Sequence, residues 1–200
     1  MWDDRYSEPG FAYGTEPNDY LREMAHHIPA GGAVLSLAEG EGRNAVWLAQ
    51  QGFVVTAMDG SAVGLRKAAA LAHRNRVPLT CQLAELGDYS IEEGAWDGII
   101  IIWVPMPSEL RHRVLRGCIG GLKPGGVLII EAYGPRQPEY GSGGPSNPDM
   151  LPSLSELQAE LDGLRFIHAQ EIDRVVLEGR YHTGMSAVIQ TTAVKPLADR

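Results

Sequence analysis

The stretch Ala33-Val34-Leu35-Ser36-Leu37-Ala38-Glu39-Gly40-Glu41-Gly42-Arg43-Asn44-Ala45 decides the fold. Its first five residues are apolar apart from one serine and read as a buried strand. Gly40, Gly42 and Ala45 then fit G-x-G-x-x-G/A spacing between a strand and a helix. Glycine here lets the chain turn tightly and lets its backbone approach a ligand without a Cβ in the way. Ala45, Val46, Leu48 and Ala49 follow at helical spacing, and Gly52 ends the helix. Phe53 to Met58 reads as a second strand that closes on Asp59-Gly60-Ser61. An acid at that point of a strand–turn–helix–strand unit is placed to accept from both hydroxyls of a ribose.

Outward from this unit, Val63 to Asn75 is alanine-rich with apolar residues at helical spacing, and Leu79 to Ala84 reads as a third strand. Trp96 to Val104 holds a fourth strand, Ile99-Ile100-Ile101-Ile102. A strand apolar at every position is buried on both faces and belongs at the centre of a parallel sheet. Ser108 to Leu122 reads as a helix with Ser108 at its N-cap. Lys123-Pro124-Gly125-Gly126 then turns the chain into a fifth strand, Val127 to Ala132. Near the start, Asn18 or Asp19 caps a short helix through His27. Gly134 to Pro152, rich in Gly, Pro, Ser and Asn, is a loop long enough to act as a lid. Ser153 or Ser155 caps a helix through Leu161, and Arg165 to Leu177 and Ser186 to Val194 are strands joined like a hairpin by Gly179 to Gly184. Strand and helix alternate five times before an antiparallel pair. The expected class is α/β: a Rossmann-like doubly wound seven-stranded sheet with an antiparallel last strand. One domain over residues 1–200 is expected, with 1–30 as an N-terminal lid segment and 134–152 near the substrate.

Composition narrows the partners. The 200 residues carry a formal charge of −8, which disfavours a nucleic-acid polymer as the main partner. The chain opens without a basic region followed by an apolar run, and its longest apolar run, near Ile99 to Met106, is too short for a membrane span. Cys81 and Cys118 form no CxxC pair and read as buried, reduced thiols in a cytoplasmic protein. No Cys/His/Asp cluster has metal-ligand spacing. His26 and His27 point different ways on a helix, and Arg111, Arg113 and Arg116 read as a solvated or ion-paired helix face.

The glycine loop also speaks to its ligand. Glu39 and Glu41 flank Gly40, and carboxylates close to a pyrophosphate are costly. S-adenosylmethionine presents a sulfonium and an ammonium instead, and its carboxylate has the helix N-terminus or Arg43 to meet. The charge pattern favours S-adenosylmethionine over NAD.

Val34 to Asn44, with its run Gly40-Glu41-Gly42-Arg43-Asn44, resembles motif I of class I S-adenosylmethionine-dependent methyltransferases, and is most similar to the small bacterial subgroup related to tellurite-resistance methyltransferases. Gly121-Leu122-Lys123-Pro124-Gly125-Gly126, Trp2-Asp3-Asp4-Arg5-Tyr6 and Tyr13-Gly14-Thr15-Glu16-Pro17-Asn18 extend the resemblance over nearly the whole chain. The resemblance implies that Ala38, Glu39 and Gly40 contact the methionine end of the cofactor, that Asp59 holds the ribose with Gly60 and Ser61 beside the adenosine, and that Glu85 and Leu86 flank the adenine. It places Ile102 and Trp103 under the cofactor near the methyl. Ser36 and Ala38 stand where the motif usually has aspartate and glycine, and Glu39 is expected to supply the missing hold on the amino group.

The expected activity is methyl transfer from S-adenosylmethionine to a small-molecule acceptor, by a monomer or homodimer. Methyl transfer asks the protein mainly to orient two reactants and exclude water. Tyr13, Tyr133 and His182 are the candidate catalytic groups, His182 as a base. Two rivals stand beside this reading: an NAD(P)-dependent oxidoreductase and a non-catalytic S-adenosylmethionine-binding module.

Overall fold

The computed structural model describes residues 2–197. A first short helix, α1 (Trp2–Tyr6), precedes α2 (Asp19–Met24), which the Asn18 side chain caps by accepting from the Leu21 amide and which a 3-10 turn extends through His27. The central alternation is β1 (Ala33–Leu37), α3 (Arg43–Gln50), β2 (Val54–Asp59), α4 (Ala62–Asn75), β3 (Thr80–Leu83), β4 (Trp96–Ile102), α5 (Ser108–Gly121) and β5 (Leu122–Tyr133). The chain then adds α6 (Leu154–Glu160), β6 (Arg165–Glu178) and β7 (His182–Val194).

The seven strands lie in the order β3-β2-β1-β4-β5-β7-β6. The first five are parallel, and β7 runs antiparallel to both β5 and β6. The isoleucine run of β4 is buried between β1 and β5, as continuous apolarity requires. One apolar cluster joins α2, α3 and α4 to one face of the sheet, and a second joins α5 and α6 to the other.

Four local expectations change, and one open choice is settled. No helix joins β3 to β4; residues 84–95 are turns, so the alternation breaks once. Ser108 is the first helical residue of α5 rather than its cap: Pro107 takes that place, and the Asp149 carboxylate receives the Ser108 amide at 3.1 Å. Of the two capping choices for α6, Ser153 is used, in a reciprocal capping box with Glu156. The 123–126 turn is absorbed into β5 as an irregularity of register between Trp96 and Gly98. Cys118 is buried, while Cys81 is half-buried on β3 rather than buried.

Candidate functional site

The carboxyl ends of β1, β2, β4 and β5 open into one cavity of about 1060 Å³. Every sequence-predicted site residue lines it except Gly40. The Gly40 amide donates to Asp59 Oδ2 at 2.7 Å, and the Tyr6 hydroxyl fills the space a Cβ would take, 2.6 Å away. The left-handed backbone, φ 69°, and the tyrosine that covers it both favour glycine here.

At this end the acids are fixed by the fold. Glu39 Oε1 accepts from the Asn44 and Ala45 amides, both at 3.0 Å, and Oε2 accepts from the Ser36 hydroxyl. The carboxylate therefore caps α3, whose formal N-cap, Gly42, has no side chain for the task. Burial pushes the Glu39 carboxyl up, and the bonds from Ser36 and Ala45 pull the other way. Asp59 accepts from the Gly40 and Ser61 amides, both at 2.7 Å, and burial likewise pushes its carboxyl up, with help from nearby Glu85. Ser61 caps α4 through the Gly64 amide at 3.0 Å and donates to Asp3 of α1. Ala38 has a left-handed backbone, φ 49°, at the position where the resemblance expects glycine.

Glu41 corrects the charge argument. It does not face the cavity: its carboxylate takes the Ala12 amide at 2.7 Å and Lys67 Nζ at 2.8 Å, and so ties the N-terminal segment down. The acids at this end of the cavity are Asp3, Glu39, Asp59 and Glu85. Arg43 is also committed, paired with Glu178 in the interior. The Asn44 and Ala45 amides are thus taken by Glu39 and one arm of Arg43 by Glu178, while Arg43 still lines the cavity. Arg5 remains: its guanidinium lies over the Trp2 and Tyr181 rings and donates to the Tyr13 hydroxyl at 2.7 Å, with no acid in ion-pair range among the described residues.

The other end is aromatic. Tyr13, Tyr133 and His182, far apart in sequence, converge around Trp103: Tyr133 lies 4.5 Å and His182 5.3 Å from its ring, and Tyr13 4.5 Å from His182. Trp103 itself adopts φ 57°, a costly conformation for so bulky a residue, and strain of this kind gathers at functional sites. Its Nε1 donates to Glu178 at 2.6 Å. Among the described residues, the buried Tyr133 hydroxyl and His182 Nδ1 have no hydrogen-bond partner. Ser186 lies close enough to Tyr133 to favour its ionised form a little, without closing a bond. Burial holds the His182 imidazole neutral, its pKa pushed down to about 4 against the pull of Glu178.

Beneath the aromatic ring cluster runs a buried polar network that the sequence does not announce. Glu131 accepts from Arg174 at 2.7 Å, from Gln190 at 2.6 Å and from Asn18. Glu178 takes Arg43, Trp103 and Asn18. Burial opposes ionisation of Glu178, but the Arg43 charge and these bonds outweigh it and hold the carboxyl below its ordinary value. The roof is stitched as well: Tyr181 and Arg180 reach Glu8, and the Arg180 amide donates to the Ala12 carbonyl at 2.9 Å. Sequence reasoning placed Tyr6 only within the lid segment and gave no site role to Trp2, Arg5 or Glu178. Trp2 and Tyr6 fall at i,i+4, which is the signal for α1 that went unread. Of the two readings for the arginine face, solvated or ion-paired, Arg111 takes the second: it is buried and bidentate to Glu160.

Among the described residues no helix is long and apolar enough to cross a membrane, and no group of three His, Cys, Asp or Glu is placed to hold a metal. Residues 34–126 match the methyltransferase domain family. In structure the chain is similar to a protein solved in work on the conversion of a disulfide bond into a thioacetal group during echinomycin biosynthesis, with TM-score 0.76 and 17% identity over 96% of this chain and 86% of that one. TehB from Haemophilus influenzae gives TM-score 0.74 and 18% identity over 88% of this chain and 61% of TehB, so the chain spans less than two thirds of that protein's length. A SAM-dependent methyltransferase from Methanosarcina mazei gives TM-score 0.68 and 17% identity over 88% of this chain and 97% of the other. No curated protein matches the sequence. At such identities the structural likeness is one of fold.

Proposed function

We propose that this chain, whose residues 34–126 match the methyltransferase domain family, passes a methyl group from S-adenosylmethionine to a small-molecule acceptor held in the same cavity. S-adenosylmethionine is the cofactor of that domain; when bound it supplies a methyl group activated on a sulfonium. The donor set fits it. Asp59 and Glu85 suit hydroxyl and amino donors, and Glu39 lies where an ammonium would be welcome. The same acids would repel a pyrophosphate, which disfavours the dinucleotide reading. Arg5 joins Arg43 as a cation for the methionine carboxylate. Of the segment read as a lid, residues 2–13 cover one side of the cavity through Trp2, Asp3, Arg5, Tyr6 and Tyr13, whereas Tyr20 to Ile28 pack into the core.

The observation that carries the acceptor half of this reading is the convergence of Tyr13, Trp103, Tyr133 and His182 on the cavity beyond the acids. Ligand pockets span about 300–1,000 Å³, and this one, at about 1060 Å³, has room for a cofactor and a small second reactant. A neutral His182 is in the right state to accept a proton at Nδ1. Thermal shift with S-adenosylmethionine, S-adenosylhomocysteine and NAD tests the cofactor: the first two stabilise and NAD does not. Tritiated methyl transfer across a panel of small acceptors tests the enzyme; label that moves to none of them while the cofactor binds would favour the non-catalytic binding module.

A further inference from the structure

We infer that the acceptor side of the cavity is built for a molecule with an apolar body and one hydroxyl or thiol, rather than for a small oxyanion. The inference rests on the methyl-transfer reading for the word acceptor; the rest comes from the subsite itself. Its wall away from the acids is apolar: Met106, Ile130 and Leu157, members of the core cluster of α5 and α6, together with half-buried Met150. Two thioethers give that wall polarisable, adaptable contacts. The cation on this wall, Arg111, is spent on Glu160 through bonds of 2.8 and 2.9 Å, so it offers an anion little.

Of the buried side-chain atoms without a partner among the described residues, two belong to residues that line this cavity, the Tyr133 hydroxyl and His182 Nδ1, whose ring centroids lie 5.6 Å apart. A buried polar group without a partner is costly. One hydroxyl or thiol, which both donates and accepts, satisfies the pair: it gives its hydrogen to one and takes a hydrogen bond from the other. A fully deprotonated oxyanion has no hydrogen to give, and it would bring its charge to a wall whose cation is already paired with Glu160. The loop over the subsite is already shaped. Gln137 is buried and bonds the Ser142 hydroxyl and the Gly143 carbonyl, both at 3.0 Å, and the Ala187 amide at 2.9 Å, while Ser142 Oγ donates to the Met185 carbonyl at 2.6 Å.

The test titrates the protein, with and without S-adenosylhomocysteine, with 4-methyl-, 4-ethyl- and 4-propylphenol and the matching thiophenols. Sodium selenite and 2-mercaptoethanol serve as polar probes, with tryptophan fluorescence and calorimetry as readouts. Affinity is expected to rise about fourfold per added methylene, with no saturable binding of the polar probes. Phenols against thiophenols tell which nucleophile is preferred. Met150→Asp is expected to weaken the alkyl series at least tenfold while S-adenosylhomocysteine binds as before, and Met150→Gln less so. Selenite binding as tightly as the phenols, a flat alkyl series, or an indifferent Met150→Asp would each overturn the inference. Failure of S-adenosylhomocysteine to bind overturns the methyl-transfer reading instead, and leaves the alkyl series to judge the subsite.

Discussion

The two ends of the cavity differ in how their polar atoms are treated. At the glycine-loop end, Glu39, Asp59 and Ser61 are bonded to backbone amides of the next helix or turn. At the aromatic end, the Tyr133 hydroxyl and His182 Nδ1 are buried and unpaired. An unpaired buried polar group costs about 1–3 kcal/mol, so a fold keeps one where something else completes it. The first end is closed on itself by backbone bonds, and the second keeps polar atoms that the fold itself leaves unanswered.

Glu178 joins the two ends, because it holds Arg43 from the loop's helix and Trp103 from the aromatic cluster. Removing it breaks the comparison most severely. Glu178→Ala leaves Arg43 buried without its carboxylate and frees the strained Trp103, and is expected to lower stability by about 3–5 kcal/mol in urea denaturation. A loss below about 1 kcal/mol would mean that the two ends fold independently.

The next effect belongs to His182. In the unfolded chain its imidazole takes up a proton below its ordinary pKa of 6.5, whereas in the folded protein it does so only below about 4. Between these values the unfolded state binds more protons, so folding stability rises with pH through the window. The contribution is whole above pH 6.5 and falls by roughly 3 kcal/mol as pH drops to 4. Measured from pH 8 to 4, the stability of the protein is expected to fall by about that much more than that of His182→Asn. Parallel curves would place the imidazole in contact with solvent.

The same contrast explains what could be read from the sequence. The glycine-loop end is local: Ser36, Glu39, Asn44, Asp59 and Ser61 lie within one strand–helix–strand unit, and spacing alone located it. Even there, spacing could not say which way a side chain turns, so Glu41 was credited with facing the ligand when Lys67 and Ala12 hold it outside. The aromatic end is non-local. Tyr13, Trp103, Tyr133 and His182 were each visible as a polar aromatic near the end of an element, but their meeting depends on β7 entering between β5 and β6. Glu178 was silent because an acid in a strand carries no periodic signal that separates a buried anchor from a surface charge.

Glu39 sharpens the comparison at a smaller scale, since it caps α3 and also faces the cavity. Glu39→Ala removes the cap and is expected to cost about 1–2 kcal/mol. If the carboxylate also holds the methionine ammonium, S-adenosylhomocysteine affinity falls at least tenfold in calorimetry. Unchanged affinity would make Glu39 a helix cap only.

The smallest effect is the sharpest test of the idea that one end awaits a ligand. Tyr20 and Tyr133 are both buried, and burial pushes both phenols up. Yet the Tyr20 hydroxyl shares a 2.7 Å bond with Thr192, whereas that of Tyr133 has none. Tyr20→Phe should therefore lose about 1 kcal/mol, and Tyr133→Phe should be neutral or slightly stabilising, because the hydroxyl gives the folded state no bond to lose. The same Tyr133→Phe change is expected to weaken acceptor binding while leaving S-adenosylhomocysteine binding intact. A residue that costs nothing to remove from the fold but something to remove from the complex is doing its work for the ligand. If Tyr133→Phe were as destabilising as Tyr20→Phe, the hydroxyl would already have its partner inside the protein, and the aromatic end would be as finished as the glycine-loop end.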